Sequence, residues 1–129
     1  MSSCTFCGHG DAPESIYDFL KDKIEQMILG GKANNFYVGN HGNFDHMALR
    51  ILWTMKNKYP DIQYSVVLAY LPEKKDSFEM YQEGETLYPD GIEKSLYRFA
   101  ITFRNKWMVE HSEYLISYVK GDLEEQQKL

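Results

Sequence analysis

The stretch Asn35 to Asp45, NFYVGNHGNFD, decides the fold. A short apolar run, Phe36-Tyr37-Val38, stops at Gly39. A glycine-spaced turn follows, Gly39-Asn40-His41-Gly42-Asn43, and a strongly amphipathic segment starts at Phe44. Strand, glycine turn and helix in that order aim free backbone N–H groups at an anion. Any small-molecule ligand is therefore expected over this turn.

The same pattern stands earlier in the chain. Cys4 to Cys7 (CTFC) reads as a short buried strand that ends at Gly8-His9-Gly10. Asp11 is placed as an N-cap, with Pro13 in the first turn and Glu14 three residues after the cap. Ile16, Phe19, Leu20, Ile24, Met27 and Ile28 keep helical spacing, so the first helix is expected over Ala12 to Leu29, ended by Gly30-Gly31. After the turn, Phe44, Met47, Ala48, Ile51, Leu52 and Met55 share one helical face, and Tyr59-Pro60 closes that helix. Ile62 to Leu71 is β-branched and aromatic in its middle and reads as a third, central strand. Three strands separated by two helices of this length imply right-handed βαβ units in a parallel sheet.

Pro72 to Asp90 interrupts that rhythm. It is long for a structureless loop in a compact domain. Two lysines against six acids give it a local charge of −4. Either it is a lid that offers Tyr81 or Tyr88 to a base, or it is a solvated excursion whose aromatics pack on the body. Gly91 to Glu110 carries a third amphipathic stripe, and Tyr114 to Val119 (YLISYV) reads as a fourth strand. The tail, Lys120 to Leu129, is charged and is expected to form no more than a ragged helical turn.

The chain has 129 residues, enough for one domain over 1–129 with one core. Hydrophobic residues make up 43% and charged residues 26%, the balance of a soluble globular protein. No apolar run is long enough for a bilayer and no signal peptide is visible, so a cytoplasmic protein without a membrane partner is expected. A formal net charge of −5 argues against a nucleic-acid partner, because a polyanion needs basic residues to replace its counterions. Cys4 and Cys7 form a single C-x-x-C. It is either a redox pair or half a zinc site, or two thiols on a strand, where positions three apart face opposite sides. A structural zinc needs about four ligands and no second pair exists, which favours the strand.

Several motifs together resemble the SLOG superfamily of Rossmann-like nucleotide-binding proteins, in particular its small YpsA-like bacterial branch. CTFCGHG is similar to that branch's first-strand motif, with Gly10 where the family has arginine. VGNHGNFDHMA resembles the second-strand motif, a glycine pair followed by an aspartate at the head of a helix. SVVLAYLP, TLYPDGIEK and RNKWMVEHSEYLISYV, which begins at Arg104, are also similar in order and spacing. The resemblance implies a Rossmann-like three-layer α/β sandwich with a parallel sheet of about four strands, truncated at the carboxyl end. The glycine pair, helix and strand that follow the fourth strand in that branch are missing. It also implies a pocket for a nucleotide or a nucleotide-derived, ADP-ribose-like molecule. The P-G-G-x-G-T-x-x-E motif of the family's cytokinin-activating LOG enzymes is missing, which points to binding rather than catalysis.

The candidate ligand-binding residues are Gly8, His9, Gly39, Asn40, His41, Gly42, Asn43, Asp45, Arg104 and Asn105. In a parallel sheet the carboxyl ends of adjacent strands share one edge, and ligands gather there. Gly39 and Gly42 would let backbone approach a phosphate, and amides of Asn43 to Asp45 would donate to it. Asp45 has three readings: a cap that competes with the phosphate, an acceptor for a ribose hydroxyl, or a structural first-turn acid. Arg104 either pairs with a phosphate, caps carbonyls, or meets Glu110 on the surface. His9, His41 and His46 form no tight ligand triplet, so neither a metal nor a cofactor is expected. A sensor or sequestering module is the leading expectation. A nucleotide-processing hydrolase of N-glycosidase or phosphoribohydrolase type, using Asp45, His9 or His41, and a shortened non-catalytic interaction protein are the alternatives. Without a last helix, apolar side chains such as Trp107 or Tyr118 are expected to stay exposed and to favour a homodimer or larger assembly.

Overall fold

The computed structural model describes residues 2–8, 10–68, 85–87, 89, 99–119 and 122–127. They form an α/β structure around one six-stranded sheet. The strands are β1 (Ser3–Gly8), β2 (Asn35–Val38), β3 (Gln63–Val67), β4 (Glu85–Leu87), β5 (Tyr114–Val119) and β6 (Asp122–Gln127). The helices are α1 (Tyr17–Leu29), α2 (Asn43–Lys58) and α3 (Ala100–Glu110). The sheet order is β4-β3-β2-β1-β5-β6, and every pair is parallel except β5 with β6.

Alternation within the strands sorts the layers. Cys4 and Phe6, Phe36 and Val38, Tyr64 and Val66, and Ile116 and Tyr118 face one side and join the stripes of α1 and α2 in a single core. The intervening positions, among them Thr5, Tyr37 and Val67, face the other side. There α3 crosses, with Trp107 packed edge-on against Tyr37 at 5.4 Å between centroids. Each fully buried Leu, Ile, Phe or Met of the first face contributes roughly 1.5–3 kcal/mol. Leu20, Ile24, Met27, Met47, Ile51 and Leu52 are all such residues.

Several expectations change. The sheet has six strands, not about four. The tail supplies one of the extra two: Leu123 joins the core, and Glu125 accepts from Lys32 at 2.9 Å. Its sequence, DLEEQQ, carries a single apolar residue, so periodicity could not mark it; pairing along the whole of β5 does. The other added strand, β4, lies inside the stretch expected to be an acidic loop. Tyr81 and Tyr88 lie outside the described residues, as does the start of the expected third helix before residue 99. β3 is shorter than expected and not central, since β1 and β2 occupy the middle. Asp11 does not cap α1: Pro13 takes an extended conformation, a 3₁₀ turn spans Glu14–Ile16, and α1 begins at Tyr17. Tyr118 is buried, stacked 6.2 Å from Phe44, and Trp107 is half-buried. Neither is the fully exposed apolar side chain that was expected.

Candidate functional site

β1 and β2 are hydrogen-bonded neighbours running the same way, so their carboxyl ends open onto one rim. The two crossings touch there. The Asn43 amide donates to the Gly10 carbonyl at 2.7 Å, and the Asn43 side chain donates to the Ala12 carbonyl. Gly42 is held at φ +88°, and a Cβ on it would lie 2.6 Å from the Gly10 Cα. Only glycine lets the two turns meet so closely. The order of strands reverses between β1 and β5, at the crossing after β1 and one strand away from the Gly39–Asn43 turn.

A cleft of about 250 Å³ opens at this rim. Of the expected residues, Gly8, His41, Gly42, Asp45, Arg104 and Asn105 line it. Gly39 lies beneath, against Arg104 and Asp45, and Asn40 contacts Arg104. Asn43 ties the two crossings together and does not line the cleft. His9 lies outside the described residues. Phe6, Cys7, Gly10 and Ile101 also line the cleft and were not foreseen. The parity of β1 does carry a signal for Cys7: it faces away from Cys4 and Phe6 and so toward α3. A larger cleft, about 560 Å³, lies at the opposite rim among Ile28, Gly31, Lys58, Tyr59 and Ile62. It sits at the amino ends of the strands, away from the turns where open parallel sheets hold ligands.

Arg104 and Asp45 dominate the electrostatics. Arg104 is 1% exposed and Asp45 8%. The guanidinium donates to the Val67 carbonyl (3.2 Å), to Asn40 Oδ1 (3.3 Å) and to Asn105 Oδ1 (2.8 Å). Its Nη2 stands 3.9 Å from Asp45 Oδ2. Arg104 thus caps a carbonyl, that of Val67; Glu110 stands 3.8 Å from Lys106. Asp45 Oδ2 accepts from the His41 amide at 3.1 Å, a bond within the turn, and α2 carries no side-chain cap at its amino end. Gly39 makes this packing possible: a Cβ there would come within 2.6 Å of both the Arg104 guanidinium and the Asp45 carboxylate.

Burial pushes the Asp45 carboxyl above its ordinary value, against the opposing pull of Arg104 and of the His41 amide. The native state thus takes up a proton more readily than the unfolded chain does. Asp45 then lowers stability as pH rises from the ordinary carboxylate value, 3.8, through its raised native value, and the loss is complete above that. In urea unfolding across this range, the stability of Asp45→Asn relative to the parent should climb with pH and then level off. A flat or falling difference would contradict the assignment.

Cys4 and Cys7 are free thiols on opposite faces of β1, the first buried and the second half-buried. Burial raises both, with Asp45 adding to the effect at Cys7, so the thiol in the cleft is neutral. Among the described residues, no three His, Cys, Asp or Glu side chains converge as a metal set. No helix among them is long and apolar enough to cross a membrane. No protein-family model matches the sequence. No curated protein matches it either.

Proposed function

We propose that the chain is a Rossmann-like module of SLOG type that binds a nucleotide or a nucleotide-derived, ADP-ribose-like molecule, as a sensor or sequestering protein of the cytoplasm. One observation carries this reading. Two neighbouring strand-to-helix crossings meet at one rim, and α2 begins there behind Gly42, which has no side chain to cap it. The Asn43 amide, expected to serve a phosphate, is taken by the Gly10 carbonyl, so a phosphate would draw on those of Phe44 and Asp45. Those amides and the positive end of the helix dipole suit a phosphate, worth about 0.3–1 kcal/mol for an exposed anion. Arg104 lines the same cleft, its positive charge facing Asp45. The volume of about 250 Å³ suits a phosphate with part of a ribose. It falls short of the roughly 300–1,000 Å³ that encloses a whole drug-sized ligand.

Thermal unfolding with a panel of nucleotides and ADP-ribose derivatives tests the reading, run beside turnover assays on the same compounds. A ligand at a hundredfold excess over its Kd should stabilise the protein by about 2.7 kcal/mol, a shift of several degrees. A shift without turnover supports a binding module. Turnover would favour a hydrolase, and silence across the panel would favour an interaction protein.

A further inference from the structure

Asp45 occupies the position that an anionic group of a ligand would take. Its Oδ2 accepts the His41 amide, faces the Arg104 guanidinium at 3.9 Å, and lies over Gly39 at the start of α2. A phosphate oxygen entering the cleft would seek the same two donors, an amide of the glycine turn and the guanidinium. The carboxylate's hydrogen bond goes to the His41 amide, in the turn ahead of α2. It is also nearly sealed from water, so its charge acts on an incoming anion with little screening.

We infer that the Asp45 carboxylate is a built-in occupant of the anion position, holding the site against a ligand's anionic group until it is displaced or neutralised. This rests on the reading of the turn as an anion site. It makes Asp45 a gate rather than a ligand to ribose. The groups that face it are Arg104 from α3, Cys7 from β1, the His41 amide, and His46 on its own helix. Arg104 and the amide favour the charged carboxylate, whereas burial opposes it and prevails, so acid neutralises the gate sooner than it would an ordinary carboxylate.

Sulfate is the probe, since its charge does not change from acidic to neutral pH. Titration calorimetry compares the parent chain with Asp45→Asn, which keeps shape and removes charge, and with Asp45→Ser should the first variant not fold. At neutral pH the variant should bind sulfate about tenfold more tightly or better, the equivalent of one pKa unit of charge interaction. Acidification should strengthen sulfate binding more in the parent than in the variant. Equal or weaker binding by a folded variant overturns the gate. If nucleotides still bind the parent in that case, the nucleotide reading stands without it. Tighter sulfate binding by the variant, with no nucleotide bound by either protein, keeps the gate and rejects the nucleotide reading.

Discussion

Arg104→Met should destabilise the protein by about 3–5 kcal/mol, the cost of stranding a buried carboxylate without its charged partner. Arg104 heads the fully buried side chains by volume, and it joins three parts of the structure. It reaches the end of β3 through the Val67 carbonyl, the glycine turn through Asn40, and α2 through Asp45. Methionine fills much of the volume but satisfies none of these acceptors. Lysine should rescue little, because its single ammonium cannot reproduce the planar fork that meets Asn40, Val67 and Asn105 together. Urea denaturation of Arg104→Met, Asp45→Leu and the double variant separates charge from packing. The double variant should cost clearly less than the two single losses added, by roughly 1–3 kcal/mol. A loss below about 1 kcal/mol for Arg104→Met would mean that the pair contributes no more than a surface ion pair does.

Gly42→Ala is the second large effect, about 3–5 kcal/mol from two sources that add. At φ +88° and ψ 169° the backbone occupies a region that is essentially reserved for glycine. The new methyl would also press on the Gly10 Cα and carbonyl. That neighbour is backbone and cannot rotate away, so the two crossings must separate and the Asn43-to-Gly10 hydrogen bond must lengthen or break. Gly31→Ala is the control. Its φ is +71°, but nothing lies within 4 Å of the added methyl. It should therefore cost only the conformational term, about 1–2 kcal/mol. Equal losses at both glycines in denaturant unfolding would show that the contact between the turns carries no weight. Gly42→Ala should also abolish any ligand-induced shift, because the rim itself would open.

The two effects share a cause. The cleft is assembled from chain segments far apart in sequence, and each is held by what the others leave room for. Gly39 is the example. A glycine at the end of β2 reads from sequence as space for a phosphate. In the structure that space is filled by the protein itself, with a guanidinium from α3 and a carboxylate from α2.

Much of the fold is written locally. Helical spacing from Phe44 to Met55 marks α2, and glycines and a proline mark where elements stop. The apolar run Phe36–Val38 marks β2 from a few residues at a time. Such patterns decide whether a segment is a strand or a helix because burial of one face depends on a residue's near neighbours in the chain. The adjacency of the two glycine crossings was legible for the same reason, since consecutive βαβ units place their strands side by side. β6 was not legible: DLEEQQ has no face of its own, and it becomes a strand only where β5 offers an unpaired edge. The burial of Arg104 and its pairing with Asp45 were hidden likewise. Arg104 lies tens of residues from both Val67 and Asp45, a relation that composition and period do not encode. By itself, then, the sequence determined the alternation of strands and helices and the rim at which a ligand would be sought. Tertiary packing alone decided that the rim arrives already holding a buried charge pair, because opposite charges denied water settle on whichever partners the fold brings within reach.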